Sequence, residues 1–296
     1  MAEAAPLKGY GVLVTGGGTG IGRACAADLA LKGASVVICG RTEDRLKTVV
    51  SDLESRGLSV AHVVADVTDE DDVNRAVDVT VSFAGNLKGV VANAGGGGGI
   101  GPYHLQDRDE YLRVLELNIL GTMLCVKHSV ASMVRAGGGS FVGMSSIAGS
   151  TTHLVFGAYP VSKAAIDHMM RNAADEYGPA NIRFNSVRPG FTTTEIMEGV
   201  PREGEVFESY LRNTPMGGTT EPEEVAKVVS FLIGPDSSRV TGQAIAIDGG
   251  HHAARYGELL EDCGVRLPEV MPYARHVYTV YTIRARDRDK IGRAHV

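Results

Sequence analysis

Apolar residues arrive along this chain in short unbroken runs, not in alternation with polar ones. The runs are Val12-Leu13-Val14, residues 35–39, 60–65, Gly89-Val90-Val91-Ala92, 140–144, 182–187 and 243–247. Runs of this length without a polar face suit strands buried on both sides. Between them the spacing turns helical, over 21–32 up to Gly33, through a charged stretch ending before Gly57, and over 69–83, 111–135, 159–177 and 222–233. Thr68 and Asp71 read as the capping pair of the helix at 69–83. Strands alternating with helices predict an α/β fold, a single Rossmann domain with a doubly wound, seven-stranded parallel sheet and helices on both faces. In such sheets ligands bind beyond the carboxyl ends of the strands.

The pattern stops at His251, so residues 1–251 form the predicted domain, with a segment of about 195–216 as a lid, and 252–296 an extension. Its last residues, Ile291 to Val296, resemble a translated sequencing adapter. Roughly the last twenty positions are therefore set aside as an artefact or a disordered end.

Composition narrows the function. A net charge of -6 and only moderate Lys and Arg content argue against nucleic acid. Residues 1–6 lack a signal peptide's basic and apolar regions, and no run approaches the ~18 apolar residues of a membrane span, so the expectation is a soluble, cytoplasmic protein. The four cysteines, at 25, 39, 125 and 263, include no closely spaced pair. Cys25 and Cys39 read as small hydrophobes, which suits a reducing compartment. His251-His252 has no accompanying carboxylate cluster, and no metal site is expected.

Two groups of residues carry chemistry. Thr15-Gly16-Gly17-Gly18-Thr19-Gly20-Ile21-Gly22 joins the first strand to the first helix. Glycines there let backbone approach a pyrophosphate, and the helix N-terminus offers N–H groups to it. The spacing departs from the common G-x-G-x-x-G, so position, between a strand and a helix, carries the reading. Gly40-Arg41 ends the second strand without the acid that usually binds an NAD ribose, and an arginine suits a 2′-phosphate. Glu43 and Asp44 nearby leave the alternative of a solvated Arg41 open. Asp66 and Val67 end the third strand, where Asp66 is placed to accept from an adenine amino group, and Asn93, Ala94 and Gly95 follow the fourth. The second group is Ser146, Tyr159 and Lys163. Four-apart residues share a helix face, and a cation beside a phenol favours the phenolate, which makes Tyr159 a candidate acid–base.

Taken together, the glycine turn, Asn93-Ala94-Gly95, Asn118, Ser146, Tyr159-(three residues)-Lys163 and Pro189-Gly190 resemble the classical short-chain dehydrogenase/reductase family over about 7–251. Ala92 stands where the family usually has a first asparagine. The resemblance implies hydride transfer between a nicotinamide and a carbonyl or alcohol. Tyr159 moves the proton, Lys163 tunes it and grips the ribose, and Ser146 orients the substrate oxygen. Asn118 holds a relay water. Thr192 and Thr194 bond the carboxamide and pyrophosphate.

The leading expectation is an NADP(H)-dependent carbonyl reductase or alcohol dehydrogenase. The alternatives are an NAD-dependent dehydrogenase of a sugar, steroid or cyclic alcohol, and a non-catalytic dinucleotide sensor. Met144, His153 and Phe156 are candidate pocket walls, with Met197, Val200, Phe207 and Tyr210 in the lid. Surplus apolar residues on two helices, among them Leu117, Leu120, Leu124, Val130, Ile166, Met169 and Met170, predict self-association. In the resembled family those helices pair across two-fold axes, giving an expected homotetramer, or failing that a dimer.

Overall fold

A computed structural model describes residues 5–195 and 205–251. Of the sequence expectations, Met197, Val200, His252, Cys263 and the extension beyond 251 lie outside them. Seven strands form one sheet: β1 (Gly11–Thr15), β2 (Ser35–Gly40), β3 (Val60–Val64), β4 (Gly89–Ala92), β5 (Gly139–Met144), β6 (Ile182–Pro189) and β7 (Ala244–Ile247). Their order is β3-β2-β1-β4-β5-β6-β7, and every pairing is parallel. The order reverses between β1 and β4. Here the carboxyl ends open a crevice, the usual ligand position in such folds.

The helices are α1 (Gly20–Leu31), α2 (Glu43–Ser55), α3 (Glu70–Ala84), α4 (Arg108–Leu115), α5 (Gly121–Arg135), α6 (Ala158–Tyr177), α7 (Glu205–Arg212) and α8 (Pro222–Ile233). On one sheet face Leu29, Leu46, Val49, Val225 and Val229 bring in α1, α2 and α8. On the other, Val73, Val77, Leu124, Ile166 and Met170 bring in α3, α5 and α6 around the stacked pair Phe141–Phe184, with centroids 5.2 Å apart. Burying a side chain of this size contributes about 1.5–3 kcal/mol before conformational entropy is subtracted.

Several boundaries differ from the sequence reading. The cap of α3 is Asp69, which accepts the Asp72 N–H at 3.0 Å, and not the pair Thr68 and Asp71. Thr68 is unavailable because its hydroxyl donates to Asp66 at 2.8 Å. The helix expected over 111–135 starts earlier, at Arg108, where Asp107 caps it. It also contains a π-helical turn, Glu116–Leu120, between α4 and α5. Strand β6 runs on to Pro189, since beyond Val187 it pairs only with β7.

The run 108–135 reaches the length and mean hydropathy of a membrane span, contrary to the composition reading, although 44% of its most apolar window is buried inside the protein. Among the seven apolar residues singled out, Leu124, Ile166 and Met170 are core, while Leu120 and Met169 help line an open groove of about 480 Å³ with Leu112, Leu115, Ile119 and Met123. Cys25, Cys39 and Cys125 are free and buried. Burial pushes the Cys39 thiol up to about 12, so it is an inert hydrophobe, as expected.

Candidate active site

The β1–α1 turn is built for close approach. A Cβ on Gly22 would lie 2.6 Å from the Asn93 amide and against the Gly16 carbonyl, so only glycine fits. Gly20 sits at φ 50°, in the left-handed region. Thr15 serves this turn as scaffold: its hydroxyl accepts the Asn93 and Ala94 N–H groups at 3.0 and 2.9 Å. Asn93 in turn donates to the carbonyls of Thr15 and Gly16 at 3.0 and 3.2 Å. These bonds lock β4 to the glycine turn.

The first turn of α1 carries no acidic residue, and Thr19 makes no side-chain cap. Its N–H groups therefore face outward, a positive dipole end ready for an anion. A carboxylate already tests that position, because Glu195 accepts the Gly20 N–H at 2.9 Å. Thr194 lies beside it, its methyl 3.1 Å from where a Gly20 Cβ would stand. The cradle thus takes an anionic oxygen, and the residues present fit a dinucleotide pyrophosphate.

At the adenosine end, Arg41 is largely exposed and only loosely paired, 3.9 Å from Asp66. Glu43 is turned to Lys47 at 2.9 Å, which removes it as a partner for Arg41. A second arginine, missed in the sequence, flanks the same corner: the Arg45 Cβ lies 3.3 Å from where a Gly18 Cβ would be. Its signal was a second arginine in the first turn of the helix that follows Arg41. Asp66 accepts from the Thr68 N–H and hydroxyl and so shapes the turn that carries Val67, a buried residue.

Ser146, Tyr159, Lys163 and Asn118 come together beyond β4 and β5. The Ser146 hydroxyl hydrogen-bonds the Tyr159 oxygen and accepts the Ala148 N–H at 3.2 Å. The Lys163 ammonium lies 5.4 Å from the Tyr159 ring centroid and donates to the Met144 carbonyl at 2.8 Å. The sequence expectation that Lys163 lowers the Tyr159 pKa is not met in this arrangement. Burial instead holds the phenol above its ordinary value, with the Ser146 bond pulling the other way, so Tyr159 keeps its proton. Burial also lowers Lys163 to about 8, against a smaller opposing effect from Asp167.

Asn118 sits in the π-turn, fully buried. Its amide donates to the Gly96 carbonyl at 2.9 Å and to the Ser162 hydroxyl at 2.8 Å, while its side-chain oxygen accepts the Gly96 N–H at 2.9 Å. The side chain clamps the glycine loop and is not free for a water. Gly95 passes between Asn118 and Lys163, and a Cβ there would meet them at 2.7 and 3.3 Å.

The surrounding mouth is apolar. Ile100, Leu154 and Met216 are 79%, 84% and 73% exposed, with Val155 and Phe156 half exposed. Gly101 bridges to Phe156, its N–H donating to the Val155 carbonyl at 2.8 Å. Val155 takes φ 65°, a strained value for a β-branched residue. Of the predicted walls, Met144 is buried in the core instead, and His153 packs edge-on against Phe156. In the described part of the lid, Phe207 and Tyr210 pack on Phe191, and the Tyr210 hydroxyl accepts the Phe191 N–H at 2.6 Å. Pro189 and Gly190 lead into this segment, and the Thr192 hydroxyl turns back to the Gly190 carbonyl at 3.1 Å. The His251 ring lies flat on Tyr210, with centroids 4.2 Å apart.

Residues 16–252 match the family model described as Enoyl-(Acyl carrier protein) reductase. The chain is 37% identical over 240 residues to an A-factor type gamma-butyrolactone 1′-reductase (1S-forming) of Streptomyces virginiae, covering 80% of this chain and 93% of the relative. It is 37% identical over 241 residues to a cis-4-hydroxycyclohexanecarboxylate dehydrogenase of Sinomonas cyclohexanicum, covering 81% and 96%. A solved short-chain type dehydrogenase/reductase from Mycobacterium ulcerans superposes with a TM-score of 0.81 at 45% identity, over 83% of this chain and 91% of that one.

The chain belongs to the short-chain dehydrogenase/reductase family. As a member it is an oxidoreductase that acts on alcohol or ketone substrates with a nicotinamide dinucleotide.

Proposed function

We propose that this dehydrogenase/reductase is an NADP(H)-dependent reductase of a largely apolar cyclic ketone, with Tyr159 as the proton donor. The observation that carries this reading is the protonated, buried phenol of Tyr159 held against Ser146 beneath an apolar mouth. A bound nicotinamide dinucleotide supplies the hydride, or accepts it in the reverse direction. Tyr159 gives its proton to the substrate oxygen during reduction and removes one from the alcohol during oxidation. The Ser146 hydroxyl orients that same oxygen. Lys163 binds the nicotinamide ribose and steadies negative charge on Tyr159. Asn118 holds the Gly96 loop beside them, its backbone carbonyl already accepting from the Thr122 hydroxyl at 2.7 Å. Gly16, Gly18, Gly20, Ile21 and Gly22 would carry the pyrophosphate, joined by Thr194. Asn93 to Gly95 and Pro189 to Thr192 would line the nicotinamide end.

The preference for NADP(H) rests on Arg41 and Arg45 flanking the end of β2 while Glu43 is tied to Lys47. A 2′-phosphate between two guanidinium groups gains charge-assisted bonds that a ribose hydroxyl cannot match. The cyclic substrate is suggested by the two curated relatives, whose names describe a butyrolactone and a cyclohexane derivative. We further infer a cytoplasmic homotetramer, in which the open groove over α4, α5 and α6 is covered by a second copy. Residues 1–251 then form the catalytic domain, with 252–296 dispensable for turnover.

Oxidation of NADPH and NADH, followed by absorbance, should be screened against cyclic ketones, linear ketones, 3-oxoacyl thioesters and sugars. Fast turnover of a cyclic ketone with NADPH supports the reading. Turnover confined to sugars or thioesters, or equal use of both cofactors, contradicts it.

A further inference from the structure

Lys163 is 4% exposed, and an ammonium taken out of water is costly unless an opposite charge stands near it. Its ammonium donates to a carbonyl, that of Met144. The fold nevertheless places an anion one helical turn away. Asp167 lies four residues further along α6, on the same inward face, and is 2% exposed. Sequence reading passed over it because an acid in the middle of a helix is usually a solvated one.

The Asp167 carboxylate is fixed by strand β6. One oxygen accepts the Ser186 hydroxyl at 2.6 Å, and the other accepts the Arg188 Nε–H at 2.8 Å. Ser186 and Arg188 are two apart on a strand and so present the same face to α6. The result is a row of alternating charge, with Lys163 and Asp167 buried and Arg188 partly buried. Arg188 directly precedes Pro189-Gly190, so the row runs from the catalytic lysine to the far wall of the crevice.

Other charges around this row are few or compensated. Strand β5 and the turn after it offer the Met144 carbonyl and the hydroxyls of Ser145 and Ser146. From α4 come Glu110 and Arg113, which bond each other at 2.7 Å, and Tyr111. Glu116 in the π-turn is exposed, as are His168, Arg171, Asp175 and Glu176 of α6 itself. The turn 178–180 that caps α6 carries no charge. Arg183 of β6 points to the opposite sheet face, where it bonds Ser237 and the Gly234 carbonyl. Tyr159 is neutral while it holds its proton. Asp167 is therefore the buried anion nearest along α6 to Lys163.

We propose that Asp167 is a positioning residue of this enzyme, the buried counter-charge that keeps Lys163 in its ammonium form. Ser186 and Arg188 hold the carboxylate in place, so that it acts through its field and not by a direct bond. The proposal rests on the reading that Lys163 works as a cation beside Tyr159. Burial and Asp167 pull the lysine in opposite directions, and burial wins by a margin that the aspartate limits. Removing the negative charge lets burial act alone, and Lys163 loses its proton at lower pH.

The test uses Asp167→Asn, which keeps the shape, and Asp167→Asn combined with Arg188→Met, which also removes the stranded guanidinium should the single variant fold poorly. Lys163 is titrated directly by NMR on lysine-labelled protein, its resonance assigned with Lys163→Arg, and the pH profile of kcat/KM is recorded alongside. The titration midpoint is expected to fall by about one pH unit in both variants, and to return toward the parent value in Asp167→Glu. The alkaline limb of kcat/KM should move down with it. An unmoved Lys163 midpoint in both variants overturns the proposal. A midpoint that falls while the kcat/KM limb stays put upholds the counter-charge and rejects the catalytic reading of Lys163 instead. Absent turnover in every form, parent included, rejects that reading too, and the NMR midpoint still decides the role of Asp167.

Discussion

The two sides of the crevice are built by opposite rules. On the cofactor side, Thr15, Asn93 and the glycine turn interlock through five hydrogen bonds' worth of fixed backbone, four of them involving the hydroxyl of Thr15 or the amide of Asn93. Gly22 leaves no room for even a methyl group. On the substrate side, Ile100 and Leu154 stand in solvent, Val155 is strained, and the buried Gln106 side-chain oxygen has no hydrogen-bond partner among the described residues. The Gln106 amide is nonetheless bonded to the Gly101 carbonyl. A pyrophosphate is the same in every relative, so its cradle can be fixed in backbone. A substrate differs from enzyme to enzyme, and its pocket is left to side chains on loops.

This contrast is broken most severely at Gly22. Gly22→Ala should weaken NADPH by at least ~100-fold, about 3 kcal/mol, because the new Cβ meets the Gly16 backbone as well as the tied-down Asn93 amide. Calorimetric titration reads the loss, and near-normal affinity would mean that the turn is softer than its packing indicates.

At the rim of the same cradle, Arg41→Ala should weaken NADPH by roughly 30-fold, near 2 kcal/mol, and leave NADH within about twofold. Equal loss for both cofactors would show that Arg41 holds Asp66 in place and does not read the phosphate. Arg45→Ala should give the same pattern at lower amplitude.

The mouth should respond in the opposite sense. Val155→Gly relieves a φ of 65° and is expected to stabilise the protein by about 1 kcal/mol, seen as a higher melting temperature. The same change should lower kcat/KM for the ketone by roughly threefold through a looser loop, with kcat nearly kept. A destabilised Val155→Gly protein would mean that the side chain's packing outweighs its strain.

The sequence showed the cradle more clearly than the mouth for the same reason. Glycine spacing after Val12-Leu13-Val14 is a backbone signal, and the seven apolar runs set the sheet almost residue for residue. The cap at Asp69 escaped notice because Thr68 had an equal claim until its hydroxyl was seen bonded to Asp66. The π-turn around Asn118 has no periodicity signature. Asp167 and Ser162 were invisible because their partners, Ser186 and Asn118, lie at distant positions in the chain. Met144 was mistaken for a pocket wall since a strand end looks the same whether its last side chain turns to the core or to the cleft.

The central claim is that Tyr159, held protonated against Ser146, moves the proton. Tyr159→Phe removes one oxygen and little else. Steady-state turnover with NADPH and the best ketone should fall by at least ~1,000-fold, as for a lost general acid, with NADPH affinity within about threefold of the parent. Turnover within tenfold of the parent, at unchanged cofactor affinity, would contradict the account.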